Sequence, residues 1–141
     1  MNIKFIDDMT FDIIIRDLNI DYTDKEYLEE YLKKIFKRLY DYYDISIEGF
    51  YNITLYVDKY YGIIFHLEKE NLEYYEYFKN QVDMRIIINE TEFLYKVENL
   101  IDEINDKVDI IVNDNIYLKL KEKLTDREMM ILCENSEVVY K

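Results

Sequence analysis

The chain has no proline, no tryptophan, no alanine, two glycines, one cysteine and one histidine in 141 residues. The scarcity of glycine, cysteine and histidine closes off classes of function. With only Gly49 and Gly62, no glycine-rich loop can cradle a phosphate. Cys133 alone cannot form an internal disulfide, and neither it nor the single His66 has the further Cys or His donors that zinc needs. No cofactor or metal is therefore expected. Apolar runs are short, as in Ile13-Ile14-Ile15, far from the ~20 that span a bilayer. The opening Met-Asn-Ile-Lys-Phe-Ile-Asp-Asp lacks the apolar stretch of a secretory leader. A cytoplasmic protein without membrane contact is the expectation.

Basic residues are also few, 18 against 31 acids, for a formal charge of -13. That balance repels phosphate backbones, so direct nucleic-acid binding is not expected. The acidity runs evenly along the chain and forms no acidic tail. What is abundant is tyrosine, 16 residues. An AT-rich gene yields such a composition, and the amphipathic phenol suits half-buried positions.

Hydrophobic spacing supplies the architecture. Asn2 to Ile6 and Phe11 to Arg16 alternate, with Ile3, Phe5, Phe11, Ile13 and Ile15 on one face, and read as a hairpin around Asp7-Asp8-Met9. Thr23 and Glu26 have capping-box spacing, after which Leu28, Tyr31, Leu32, Ile35, Leu39 and Tyr42 recur with helical period up to about Tyr43. Tyr51, Ile53, Leu55 and Val57 then alternate, as do Ile63, Phe65 and Leu67. For both sets to share a face the turn must hold an odd number of residues, such as Asp58 to Gly62, with Gly62 free to take positive φ.

The segment Asn71 to Gln81 predicts a short crossing helix, with Leu72 and Tyr75 along one side and Tyr74 and Tyr77 nearer the other. Val82, Met84, Ile86 and Ile88 share a strand face. Thr91 to about Ile104 carries Phe93, Leu94, Val97, Leu100, Ile101 and Ile104 at a spacing that predicts a second amphipathic helix. Val108, Ile110 and Val112 face Ile116, Leu118 and Leu120 across Asn113-Asp114-Asn115, where Asn115 can take the left-handed conformation. Thr125 and Glu128 cap a short helix to about Cys133, and Ser136 to Tyr140 forms a last strand.

The predicted class is α+β, antiparallel sheet with two main helices packed on one face, in the order β-β-α-β-β-α and then β-α-β-β-α-β, the second half ferredoxin-like. The predicted organisation is one compact domain over residues 1–141, made of halves at about 1–70 and 82–141 joined by 71–81.

No catalytic or metal-binding residues are assigned. His66 falls on the strand face opposite the core set and is expected to face solvent. Cys133, among Met129, Met130, Ile131 and Leu132, reads as a small buried hydrophobe, not a nucleophile. Acidic pairs such as Asp7 and Asp8 lack the order of a calcium loop. Candidate partner-binding residues are Tyr60 and Tyr61 at the hairpin and Tyr74 and Tyr77 in the crossing segment, because tyrosine is enriched in interfaces. A charged rim around them would steer basic partners.

The run Ile3-x-x-Ile6-x-x-x-Thr10-x-x-Ile13-x-Ile15, the helix, and Ile47-Glu48-Gly49 leading into a hairpin resemble the N-terminal domain of MecA-type adaptor proteins. The strand to Ile88, Phe93 and the helix to Ile104, the tyrosine-bearing hairpin at Ile116-Tyr117-Leu118 and the run Glu134-Asn135-Ser136-Glu137 resemble that family's C-terminal domain. The chain departs from the family in having only about Asn71 to Gln81 where an acidic linker stands. The resemblance implies a non-enzymatic bacterial adaptor that binds client proteins and presents them to a Clp-type AAA+ protease. The charge suggests an alternative, an acidic inhibitor that imitates nucleic acid and occupies the basic groove of a nuclease or CRISPR effector.

Overall fold

The structure, a computed structural model, describes residues 2–16, 19–70 and 82–140. The fold is α+β with two main helices. It divides into two units. Unit 1 holds residues 1–57 and 62–90, and unit 2 holds residues 58–61 and 91–141.

Unit 1 is a five-stranded sheet with one helix across a face. Its strands are β1 (Asn2–Asp7), β2 (Thr10–Ile15), β3 (Gly49–Asp58), β4 (Gly62–Lys69) and β5 (Val82–Glu90), in the spatial order β1-β2-β4-β3-β5. The β1–β2 hairpin pairs Ile3 with Ile13 and Phe5 with Phe11, as the alternation requires. Strands β3 and β4 are joined by residues 59–61, an odd number, and the two apolar sets share the core face. Gly62 has φ +122°, and a Cβ there would lie 2.5 Å from the carbonyl oxygen of Ile15. Only glycine fits that position without moving backbone.

Helix α1 (Lys25–Tyr43) lays Leu28, Leu32, Ile35, Phe36 and Leu39 against the sheet. Each such side chain contributes about 1.5–3 kcal/mol through burial. Asp24, not Thr23, is the N-cap: its carboxylate accepts from the backbone N–H groups of Glu26 and Tyr27. Thr23 is bound instead by Asp21, which accepts from both its backbone N–H and its hydroxyl. Asp44 ends the helix in the left-handed conformation, at φ 55°. Tyr42, predicted on the core stripe, is exposed, and Phe36 takes part in the core.

Strand β5 was expected to open the second half. It pairs with β3 instead, in parallel, from Gly49↔Val82 to Val57↔Glu90, so the sheet is mixed. The crossing helix expected over 71–81 lies outside the described residues, and Tyr74 and Tyr77 with it.

Unit 2 is a four-stranded antiparallel sheet in the order β7-β8-β6-β9, built from β6 (Leu94–Val97), β7 (Val108–Asn113), β8 (Asn115–Leu120) and β9 (Ser136–Val139). The helix predicted over 91–104 is absent: the region forms β6 and, further on, a 3-10 helix over Asp102–Lys107. Phe93, Tyr95 and Val97 are all buried, a period of two, and the strand pairing of Leu94 to Val97 overrides the helical spacing of Phe93, Leu94 and Val97. Leu100, placed on the helix's apolar stripe, is 47% exposed. The β7–β8 hairpin has the predicted register, Val112↔Ile116 and Ile110↔Leu118, but Asp114 and not Asn115 takes the left-handed conformation. Helix α2 (Asp126–Glu134) starts with the predicted capping box of Thr125 and Glu128.

Candidate functional site

Three places in the structure gather polar or charged groups that the fold holds in position. The first lies in unit 1, on the sheet face opposite α1. Asp12 on β2 and His66 on β4 are paired across the strands, and each is only 4% exposed. The Asp12 Oδ1 is 2.6 Å from His66 Nδ1, and Glu68 Oε1 is 2.8 Å from Nε2. The expectation that His66 faces solvent is thus overturned. Alternation places the ring on this face, but the face is covered at His66 and at the neighbouring Ile64.

Tyr56 on β3 reports the same environment. Its phenol is pushed above the ordinary value first by burial, then by the charges of Glu68 and Asp12. A general base needs a ring nitrogen aimed at a substrate proton. Here both nitrogens meet carboxylates, so the imidazole ties β2 to β4 and to the exposed end of Glu68.

The second place is the β3–β4 hairpin tip, which belongs to unit 2. Asp58 is buried and accepts three backbone N–H bonds, from Tyr60 and Tyr61 at 2.9 Å through Oδ1 and from Phe93 at 3.0 Å through Oδ2. This carboxylate fixes the tip. It places Tyr61 inside the unit, its ring 5.3 Å from Phe93 and 6.1 Å from Tyr95. Tyr60 is half-buried and donates its hydroxyl to the Lys121 carbonyl at 3.1 Å. Of these two predicted partner-binding tyrosines, Tyr61 is buried in the unit's own packing and Tyr60 is half-buried.

The third is a cleft in unit 2 of about 1040 Å³. It is bounded by the end of β6 and the turn after it, by the β7–β8 turn, and by the last turn of α2 with the start of β9. Glu98, Asp102, Glu103, Asp114, Glu134 and Glu137 line it against one base, Lys96, while Val97, Leu100, Ile101, Ile116 and Ile131 supply apolar surface. The last turn of α2 brings Glu134 here and carries no base. A cation with an apolar stem suits such a place. No sequence motif marks the cleft, because its walls come from three separated stretches. The even spread of acids in sequence concealed their convergence.

Among the described residues no group of three or more His, Cys, Asp and Glu side chains is arranged to hold a metal ion. No described helix is long and apolar enough to cross a membrane. Cys133 is half-buried on α2. No protein family, curated protein or solved structure matches the chain.

Proposed function

We propose that this protein is a non-catalytic binding protein whose partner is another protein presenting a basic surface or segment. The observation that carries the reading is the unit 2 cleft, where six carboxylates surround apolar surface with a single lysine among them. Such a rim accelerates encounter with cations and rejects acidic competitors. The engaged ring nitrogens of His66 support a non-catalytic role. The inhibitor that imitates nucleic acid is one form of this reading, with the basic groove of a nuclease as the partner.

Titration with a fluorescein-labelled lysine- and arginine-rich peptide tests it. Binding should weaken with added salt and fall about tenfold or more in Asp102→Asn/Glu103→Gln/Glu137→Gln. Unchanged binding by that variant would remove the cleft from the reading.

The adaptor for a Clp-type AAA+ unfoldase is a second reading. It is supported by unit 1, where the hairpin, helix and second hairpin follow in the order that the resemblance implies. It loses the 91–104 helix on which the unit 2 part of the resemblance rested. Affinity purification with cross-linking separates the two forms: an AAA+ ATPase as cross-linked partner supports the adaptor, and a nuclease the inhibitor.

A further inference from the structure

The outward face of α1 opposes the charge of the rest of the chain. From Tyr31 to Tyr40 there is no acid, and Lys33, Lys34, Lys37 and Arg38 are all exposed. Lys33, Lys37 and Tyr40 follow one another along one line of the helix surface, and Lys34 and Arg38, four apart, form the next. Tyr40, at the end of the first line, is 59% exposed. Solvated cations on an acidic protein ordinarily find a carboxylate one turn away, and Lys33 does, with Glu29 at 3.2 Å. Glu30 and Asp41 stand four residues from Lys34 and Lys37, yet Lys34, Lys37 and Arg38 make no ion pair among the described residues. A positive stripe in which three of the four cations make no ion pair among the described residues, ending in an exposed tyrosine, has the make-up of an interface: arginine and tyrosine as anchors, lysines as a steering field.

We infer that this face of α1 is a docking surface for a short acidic segment of a partner protein. Length and charge select that occupant. From Lys33 to Tyr40 the stripe measures about 10 Å at the helical rise, the reach of about three extended residues. Glu26, Glu29 and Glu30 stand before it and Asp41 and Asp44 after it. A short run of aspartate or glutamate fits between these acids. A long polyanion would have to run past them and then meet the field of a chain with charge -13. A nucleic acid is for that reason the disfavoured ligand. The inference stands apart from the unit 2 cleft, which takes the opposite charge, and together the two surfaces would let one chain join two partners.

Fluorescence anisotropy at low ionic strength, with a fluorescein-labelled Glu-Glu-Asp-Glu peptide and a fluorescein-labelled oligothymidine of similar length, tests the inference. The peptide should bind more tightly than the oligothymidine and be released by salt. Lys34→Glu/Arg38→Glu should weaken peptide binding about tenfold or more, and Tyr40→Ala should weaken it severalfold. Tyr42→Ala should leave it unchanged, and Lys34→Gln/Arg38→Gln replaces the reversal if that variant fails to fold. Absence of peptide binding, binding unaffected by the charge variants, or tighter binding of the oligothymidine would each overturn the inference. Binding of the lysine- and arginine-rich peptide to the cleft should not respond to any of these substitutions, so the two readings fail separately.

Discussion

The carboxylate of Asp12 and the imidazole of His66 face each other across β2 and β4 at 2.6 Å, both out of reach of solvent. A polar pair in that position is costly to break, because the surviving member stays buried. His66→Ala should destabilise unit 1 by about 3 kcal/mol. Glu68 touches the other ring nitrogen from a side chain that is 61% exposed, so Glu68→Ala should cost less than about 1 kcal/mol. Urea unfolding followed by circular dichroism checks both, and equal costs would show that the exposed Glu68 contributes as much as the buried ring that it touches.

Asp58 offers a second contrast. Its two oxygens divide the work, Oδ1 serving the amides of Tyr60 and Tyr61 and Oδ2 that of Phe93. Asp58→Ala should cost about 3 kcal/mol, since buried amides lose a charged acceptor. Asp58→Asn keeps one oxygen and can satisfy only one side, so an intermediate loss is expected. Thermal unfolding of the three proteins orders them.

Gly62→Ala should destabilise by at least about 2 kcal/mol, through a positive φ and a contact with the Ile15 carbonyl that no side-chain motion relieves. A neutral result would mean that the Ile15–Arg16 backbone can move aside.

The α2 cap should respond to acid. A hydrogen bond from Lys107, then one from the Thr125 backbone N–H, hold the Glu128 carboxyl down from 4.5 to about 2. A carboxylate lowered on folding contributes stability above its unfolded value, and that contribution is lost as pH falls through the folded one. Between about pH 4.5 and about pH 2 the wild type should therefore lose more stability than Glu128→Gln. Parallel losses in both proteins would contradict the assignment.

Strand β7 lies at the edge of its sheet with Ile110, Ile111 and Val112 exposed, and carries no lysine or proline to blunt the edge. Val112→Lys should leave stability within about 0.5 kcal/mol and raise the concentration at which the protein self-associates, as light scattering would register.

Much of this fold is readable from spacing alone. Turn parity places Ile53 and Phe65 on one face, and the stripe from Leu28 to Leu39 finds α1, because in both cases a single period accounts for the apolar positions. Where two periods coincide the reading fails, as at Phe93 to Val97, which fit a helix and a strand equally until β8 and β9 offer partners. Caps fail for a related reason: Thr23 and Asp24 can each cap a helix, and Asp21 decides between them by binding Thr23. The burial of His66 was not legible, since alternation tells which face a residue takes but not what covers that face. Nor was the acidic cleft, whose walls meet only through tertiary structure.

The assignment of residues 58–61 to the second unit makes the two units inseparable by a single cut. A gene truncated after Glu90 would still encode Asp58 and Tyr61 but would have discarded Phe93 and Tyr95, leaving an acid and an aromatic ring without the neighbours they pack against. Recombination at one junction cannot exchange either unit intact, and an engineered exchange needs a further junction on each side of residues 58–61.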